Sequence, residues 1–271
     1  MKVATALVTT WIVLAVAAGL SVGFSWRTAL SGLLAAGALL AAMRAPEGRG
    51  WPLVWILFAL YGGIGSLNIH LEAVFFSILP VAMSVEALAK GLMVAFAASL
   101  LMVWTAGRMP PQNAPERRSP SYPIAHYWRW RALVTAFCYV VLYFAAGIIV
   151  LPYVGHFYAG RPMPSPRLVV AMQLVRGLVY VAAMLPFVQW MSGHRWRAAL
   201  ILVLCLSVFG GIAPLLLPNK YLPADILPFH MVEIGASNFL FGLVAALLLV
   251  RRKRPDIVVS LGASPGSPLA P

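Results

Sequence analysis

Long apolar blocks alternate along the whole chain with short breaks rich in proline, glycine and basic residues. The blocks at 3–24, 28–43, 51–66, 81–106, 132–152, 168–191, 197–217 and 226–250 are each near the roughly twenty residues that a helix needs to cross a bilayer. The last is the most sharply bounded: ILPFHMVEIGASNFLFGLVAALLLVRRKR opens with the helix-breaking Pro228 and closes on Arg251, Arg252, Lys253 and Arg254. Eight membrane helices follow from this pattern. Residues 3–24, behind Lys2, suit a signal peptide or a first membrane helix, and a counterpart at 132–152 favours the helix.

The stretch between the third and fourth blocks, LNIHLEAVFFSILP at 67–80, has no Lys or Arg and is too apolar for a solvated loop. It is expected as an interfacial or re-entrant segment, with His70 and Glu72 at the outer surface. Residues 107–130 change character, being rich in Pro, Arg and Ser without an apolar period, and read as a linker. Residues 255–271 form a Pro, Ser and Gly tail whose composition predicts disorder.

The pattern also repeats. Residues 78–103, ILPVAMSVEALAKGLMVAFAASLLMV, align with 226–250 so that Glu86 falls on Glu233. Upstream, Gly32 aligns with Gly177, Trp51 with Trp196, and the pair Gly62 and Gly63 with Gly210 and Gly211. The expected architecture is an all-α polytopic membrane protein of two parallel four-helix repeats, 1–107 and 131–254. A cytoplasmic Pro/Arg-rich linker, 108–130, joins them and the tail follows. With four helices in each half, both halves insert in the same sense and are related by an axis along the membrane normal.

Composition agrees: 62% of residues are apolar, 10% are charged and the mean hydropathy is +0.88, against about a quarter charged in soluble domains. A net charge of +13 would suggest nucleic acid in a soluble chain; here topology accounts for it. With both termini inside, Lys2, Arg44, Arg49, Arg108, Arg117, Arg118, Arg129, Arg131, Arg195, Arg197 and the terminal block share one side. Only Arg27, Arg161, Arg167 and Lys220 fall on the other. That bias predicts a bacterial-type inner membrane with cytoplasmic termini. Most of the boundary tryptophans and tyrosines belong to the interfacial belts. Cys138 and Cys205 lie in apolar helices, where a thiol acts as a small hydrophobe, and supply no disulfide framework.

Candidate chemistry is confined to a few intramembrane polar residues. Arg176 lies about nine residues into the sixth helix, roughly 13 Å below its outer end, and a charge at that depth needs a partner or water. Glu233 and Asn238 bracket a similar depth on the eighth helix, and Gln173 lies one turn from Arg176. The expected site is an Arg176–Glu233 ion pair supported by Gln173, Asn238 and Ser237, with His230 adding polar selectivity. In the aligned first half, Ser31 stands at the position of Arg176 and Gly91 at that of Asn238, so the polar set belongs to the second half. Glu86 and Lys90, four apart on one helix face, are expected to neutralise each other.

Binding or translocation of a small or amphipathic anion is the function this set suggests. The alternatives are an intramembrane enzyme acting on a lipid or peptide, and a non-catalytic assembly subunit that docks a membrane-protein partner through the linker. No cofactor is expected. His70, Glu72, His156 and His230 are candidate metal ligands on the outer side, though no HExxH or Cys/His spacing accompanies them. No nucleophile elbow or glycine-rich phosphate loop occurs. The CAAX-type intramembrane proteases are also small eight-helix proteins, but their Glu-Glu-x-x-x-Arg pattern is absent because no two acidic residues are adjacent.

Overall fold

The structure is a computed structural model that describes residues 1–46, 48–109, 127–159, 163–191, 195–218 and 222–250, with the side chains of 127 and 128 excepted. The linker interior at 110–126, the tail, Arg161 and Lys220 lie outside the described residues. Eight helices among them are long and apolar enough to span a membrane, and no strand occurs. They are α1 (Lys2–Val22), α2 (Trp26–Arg44), α3 (Trp51–Phe75), α4 (Val81–Thr105), α5 (Tyr127–Tyr158), α6 (Pro166–Gln189), α7 (Arg195–Leu216) and α8 (Leu227–Leu249). Successive helices run in opposite senses. One face of the bundle, here the terminal face, holds the start of α1 and the end of α8.

Local chemistry sets the helix starts. Ser25 and Thr28 cap α2 reciprocally: the Thr28 amide donates to Ser25 Oγ at 3.3 Å and the Ser25 amide to Thr28 Oγ1 at 2.9 Å. Ser165 caps α6 one way, its Oγ accepting from the Leu168 amide at 3.4 Å, ahead of Pro166, whose missing N–H costs nothing in a first turn. At the terminal face, arginines close helix ends by donating to their last carbonyls. Arg197 donates to the Arg44 carbonyl at 2.9 Å, Arg131 to that of Leu248 at 2.7 Å and Arg195 to that of Leu247. Arg108 bridges the α2–α3 turn through the carbonyls of Pro46 at 2.9 Å and Gly48 at 2.6 Å. Burial, and then the charge of Arg49, lower the Arg108 pKa from its ordinary value.

Two expectations about helix ends are corrected. Residues 67–80 are not re-entrant, because α3 continues to Phe75 and only the few residues before Pro80 form a loop. The helix passes through its glycines by widening into a π-helical segment, Ala59–Leu67, and Asn68, His70 and Glu72 lie on its last two turns. Likewise α5 runs through Pro152 to Tyr158, so His156 belongs to a helix rather than to a loop. A second π segment, Val208–Ile212, interrupts α7.

Helices α1 and α2 form one close pair, α5 and α6 another, and α7 packs along α8. Glycine makes these approaches possible. A Cβ on Gly32 would lie 2.8 Å from the Ala15 amide nitrogen, one on Gly177 2.7 Å from the Ala136 carbonyl oxygen, and one on Gly242 2.7 Å from Val203 Cα. Helix α2 also packs on α7, and α6 on α3. The two π segments meet in the middle of the bundle, where the Tyr61 and Phe209 rings are 4.8 Å apart. Fully buried Tyr180, Phe187, Phe209, Phe241, Leu39 and Met43 fill the space around them.

Candidate functional site

Helix α6 turns Gln173, Arg176 and Tyr180 toward the interior, three and four residues apart on one face, while Leu174, Val175 and Leu178 point outward. Arg176 is only 4% exposed, so each guanidinium N–H must find an acceptor inside the protein. Three acceptors are in place. Nε donates to Asn68 Oδ1 at 2.9 Å, and Nη1 donates to Glu72 Oε1 at 2.7 Å and to Gln173 Oε1 at 2.9 Å. Asn68 also uses its amide, donating from Nδ2 to the Arg176 carbonyl at 3.2 Å. The guanidinium lies over the Tyr139 ring, 5.7 Å from its centroid.

The ion pair is asymmetric. The Arg176 side chain is 5% exposed and that of Glu72 27%, so the cluster opens through the carboxylate, near the α3 end away from the terminal face. The Gln173 amide nitrogen is buried without a hydrogen-bond partner.

Of the residues expected at this site, only Gln173 joins Arg176. Glu233 instead pairs with His230, accepting at Oε2 from Nδ1 across 2.9 Å, and faces α5 at Gly147. Asn238 is buried and donates to the Leu206 carbonyl at 3.2 Å, and Ser237 donates to the Ile234 carbonyl at 3.2 Å. The expected Arg176–Glu233 pair is therefore replaced by Arg176–Glu72. Depth along the helices pointed to Glu233, but α6 packs on α3 far more closely than on α8. Proximity decided the partner.

Half-buried Tyr143 on α5 stands one turn from Tyr139, with the two ring centroids 6.4 Å apart, beside the ring that the guanidinium covers. The chain matches no family model, no curated protein and no solved structure.

The candidate metal ligands are dispersed. Glu72 serves Arg176, His230 serves Glu233, His156 Nε2 lies 3.3 Å from Asp225 Oδ2, and His70 Nδ1 lies 2.8 Å from the Ser66 carbonyl oxygen. Among the described residues no three His, Cys, Asp or Glu side chains group as a metal site. Cys138 and Cys205 are free.

Asn68, Tyr139 and Tyr143 are the site residues that sequence reasoning missed, and Glu72, read there as a candidate metal ligand, is instead the partner of Arg176. The spacing of Asn68 and Glu72, one helical turn apart, carried the signal, provided that 67–75 was taken as helix.

Proposed function

We propose that this membrane protein binds, and carries across its outer half, a small or amphipathic anionic molecule. Arg176 is the anchor and Glu72 the internal counter-ion that the ligand displaces. The observation that carries this reading is the mismatch within the ion pair, a buried cation behind a carboxylate that solvent or lipid headgroups can reach. A carboxylate or phosphate arriving at that opening offers Arg176 the same acceptor geometry as Glu72, and the free Gln173 N–H supplies a further donor. Glu233, His230 and Tyr143 line the approach. Asn238 acts one layer further out by tying α8 to α7, while Ser237 bonds within α8.

The setting proposed is a cell inner membrane with both termini in the cytoplasm, supported by the crowd of arginines at the terminal face. Two parallel repeats are part of the same reading. In support, Ser31 and Arg176, which occupy aligned positions, both reach into the opposite half: Ser31 donates to the Ala213 carbonyl on α7 at 2.7 Å, and Arg176 binds Asn68 and Glu72 on α3. The π segments fall at the aligned glycine pairs.

Binding of dodecyl phosphate to the purified protein, followed by native mass spectrometry, tests the function. Glu72→Gln is expected to raise affinity about tenfold, near 1.4 kcal/mol, because a competitor is removed. Arg176→Gln is expected to abolish binding. Equal affinities in wild type and both variants would refute the anchor.

The His230–Glu233 pair favours one second reading, an intramembrane enzyme in which an imidazole held by a carboxylate moves a proton on a lipid or peptide substrate. In that case Glu233→Gln would abolish turnover of the bound lipid while leaving dodecyl phosphate binding intact.

A further inference from the structure

Beside the close contact of Gly32 with Ala15, α1 and α2 leave a groove of about 550 Å³ between them, within the size range of small-molecule sites. Trp11, Ile12 and Val16 on α1, Trp26 and Ala29 on α2, and Phe24 of the connecting turn give it an almost wholly apolar lining. Its walls are fixed. The Trp11 indole donates from Nε1 to the Ala29 carbonyl at 2.8 Å, and Phe24 lies over Gly19, where a Cβ would come within 2.4 Å of its ring. Ile12 is about ten residues, some 15 Å, below the end of α1 at Val22, so the groove runs through about half of the roughly 30 Å hydrocarbon layer. That is the reach of one leaflet's acyl chain. At the mouth the Arg27 guanidinium lies 5.5 Å from the centroid of the exposed Trp26 ring, and among the described residues no carboxylate pairs with it. Neither α1 nor α2 contains an acid, and Glu86 on the adjoining α4 is held by Lys90 at 2.6 Å. Ser25, also at the mouth, accepts at Oγ from the Thr28 amide and keeps its hydroxyl proton to donate.

We infer that this groove holds a resident diacyl phospholipid with a net negative headgroup, one acyl chain lying along Val16 and Ile12 down to Trp11 and the phosphate meeting Arg27 and Ser25. Depth and charge together select this occupant. The groove is as long as a single chain in its own leaflet, and a guanidinium without a carboxylate partner forms charge-assisted hydrogen bonds to a phosphate. A zwitterionic headgroup fits less well, because α1 and α2 offer no acid to its ammonium. The second acyl chain stays in the bilayer. The lipid ties the end of α1, which packs chiefly on α2 and α4, to the start of α2. This site is independent of Arg176, which lies among α3, α5 and α6. Because the resident lipid already fills the groove, added dodecyl phosphate meets Arg176 alone.

Lipid retention tests it. The protein is reconstituted in liposomes of equal parts phosphatidylglycerol and phosphatidylethanolamine, extracted in mild detergent and weighed by native mass spectrometry. Wild type is expected to keep one phosphatidylglycerol per chain. Arg27→Gln should lower the preference for phosphatidylglycerol over phosphatidylethanolamine at least tenfold, whereas Arg27→Lys, which keeps the charge, should preserve most of it. Val16→Trp fills the groove and should lose the lipid. Val13→Trp, an exposed position at similar depth outside the lining, should keep it, as should Arg176→Gln. All the α1 and α2 positions are exposed, and circular dichroism confirms that each variant retains its helices. Phosphatidylglycerol carrying a photoreactive group halfway along one chain should label peptides from α1 and α2. If wild type retains lipid no better than Val16→Trp, the groove holds passing bilayer lipid only and the inference fails. An unchanged preference in Arg27→Gln, loss of the lipid in Val13→Trp or Arg176→Gln, or labelling confined to other helices overturns it as well.

Discussion

The guanidinium of Arg176 on α6 lies 2.7 Å from the carboxylate of Glu72 on α3, across 104 residues of sequence, and the two differ fivefold in exposure at 5% and 27%. The pair joins the two halves of the chain. It also makes the two partners unequal in what their loss exposes. Removing the acid strands a buried cation, whereas removing the base leaves a carboxylate already in contact with the surroundings.

Glu72→Gln is therefore expected to destabilise the protein by about 3 kcal/mol, at the low end for breaking a buried pair because Glu72 is partly exposed. Adding Arg176→Met should recover part of that loss, since an apolar side chain of similar volume removes the stranded charge. Thermal unfolding in detergent checks both variants. A double variant less stable than Glu72→Gln alone would show that Arg176 contributes mainly through its other contacts.

Glycine substitutions separate packing from helix propensity. At Gly177 and Gly242 an added methyl meets the backbone of the neighbouring helix at 2.7 Å, and backbone cannot turn aside. Gly177→Ala and Gly242→Ala are each expected to cost about 1–3 kcal/mol. Gly37→Ala meets nothing within 4 Å and should stabilise α2 by up to about 1 kcal/mol. Melting temperatures that ranked Gly37→Ala below the other two would contradict this assignment.

Asn238 sits where the π segment of α7 leaves the Leu206 carbonyl to be satisfied from α8. Asn238→Leu is expected to lower stability by about 0.6–2 kcal/mol, the range for hydrogen bonds between membrane helices. The Arg176 cluster should be untouched, so that dodecyl phosphate binding changes less than twofold. A large loss of binding would move Asn238 into the site itself.

Arg108 ties α4 to the α2–α3 turn through two carbonyls. Arg108→Ala should make that turn a tryptic site, with cleavage after Arg44 or Arg49 at least tenfold faster. Arg108→Lys should rescue little, because an ammonium lacks the planar fork that reaches both carbonyls. Limited proteolysis followed by mass spectrometry of the fragments provides the measurement.

The eight spans were legible in the sequence because bilayer crossing depends mainly on composition and length. The position of Arg176 as the costly charge was legible for the same reason. Its partner was not. A rule based on depth places Glu233 opposite Arg176, but the choice depends on which helix α6 packs against and on how far each helix is rotated. The polar residues Asn68, His70 and Glu72 made 67–75 look like the end of a span. In the folded protein Asn68 and Glu72 are satisfied from α6, so the same residues extend it. The basic residues of the terminal face signalled topology, but their second role as caps for the ends of α2 and α8 depends on which termini lie side by side.

The widened stretch Ala59–Leu67 fixes the azimuth of everything beyond it. Because a π turn spaces its bonds five residues apart instead of four, winding the same residues as a regular helix, with none removed, would swing its outer tip by up to about 100°. Asn68 and Glu72 would then face away from the guanidinium. The widened turn amid glycines thus acts as the indexing pin of the charged centre, and tightening it would disconnect the centre without altering any group that belongs to it.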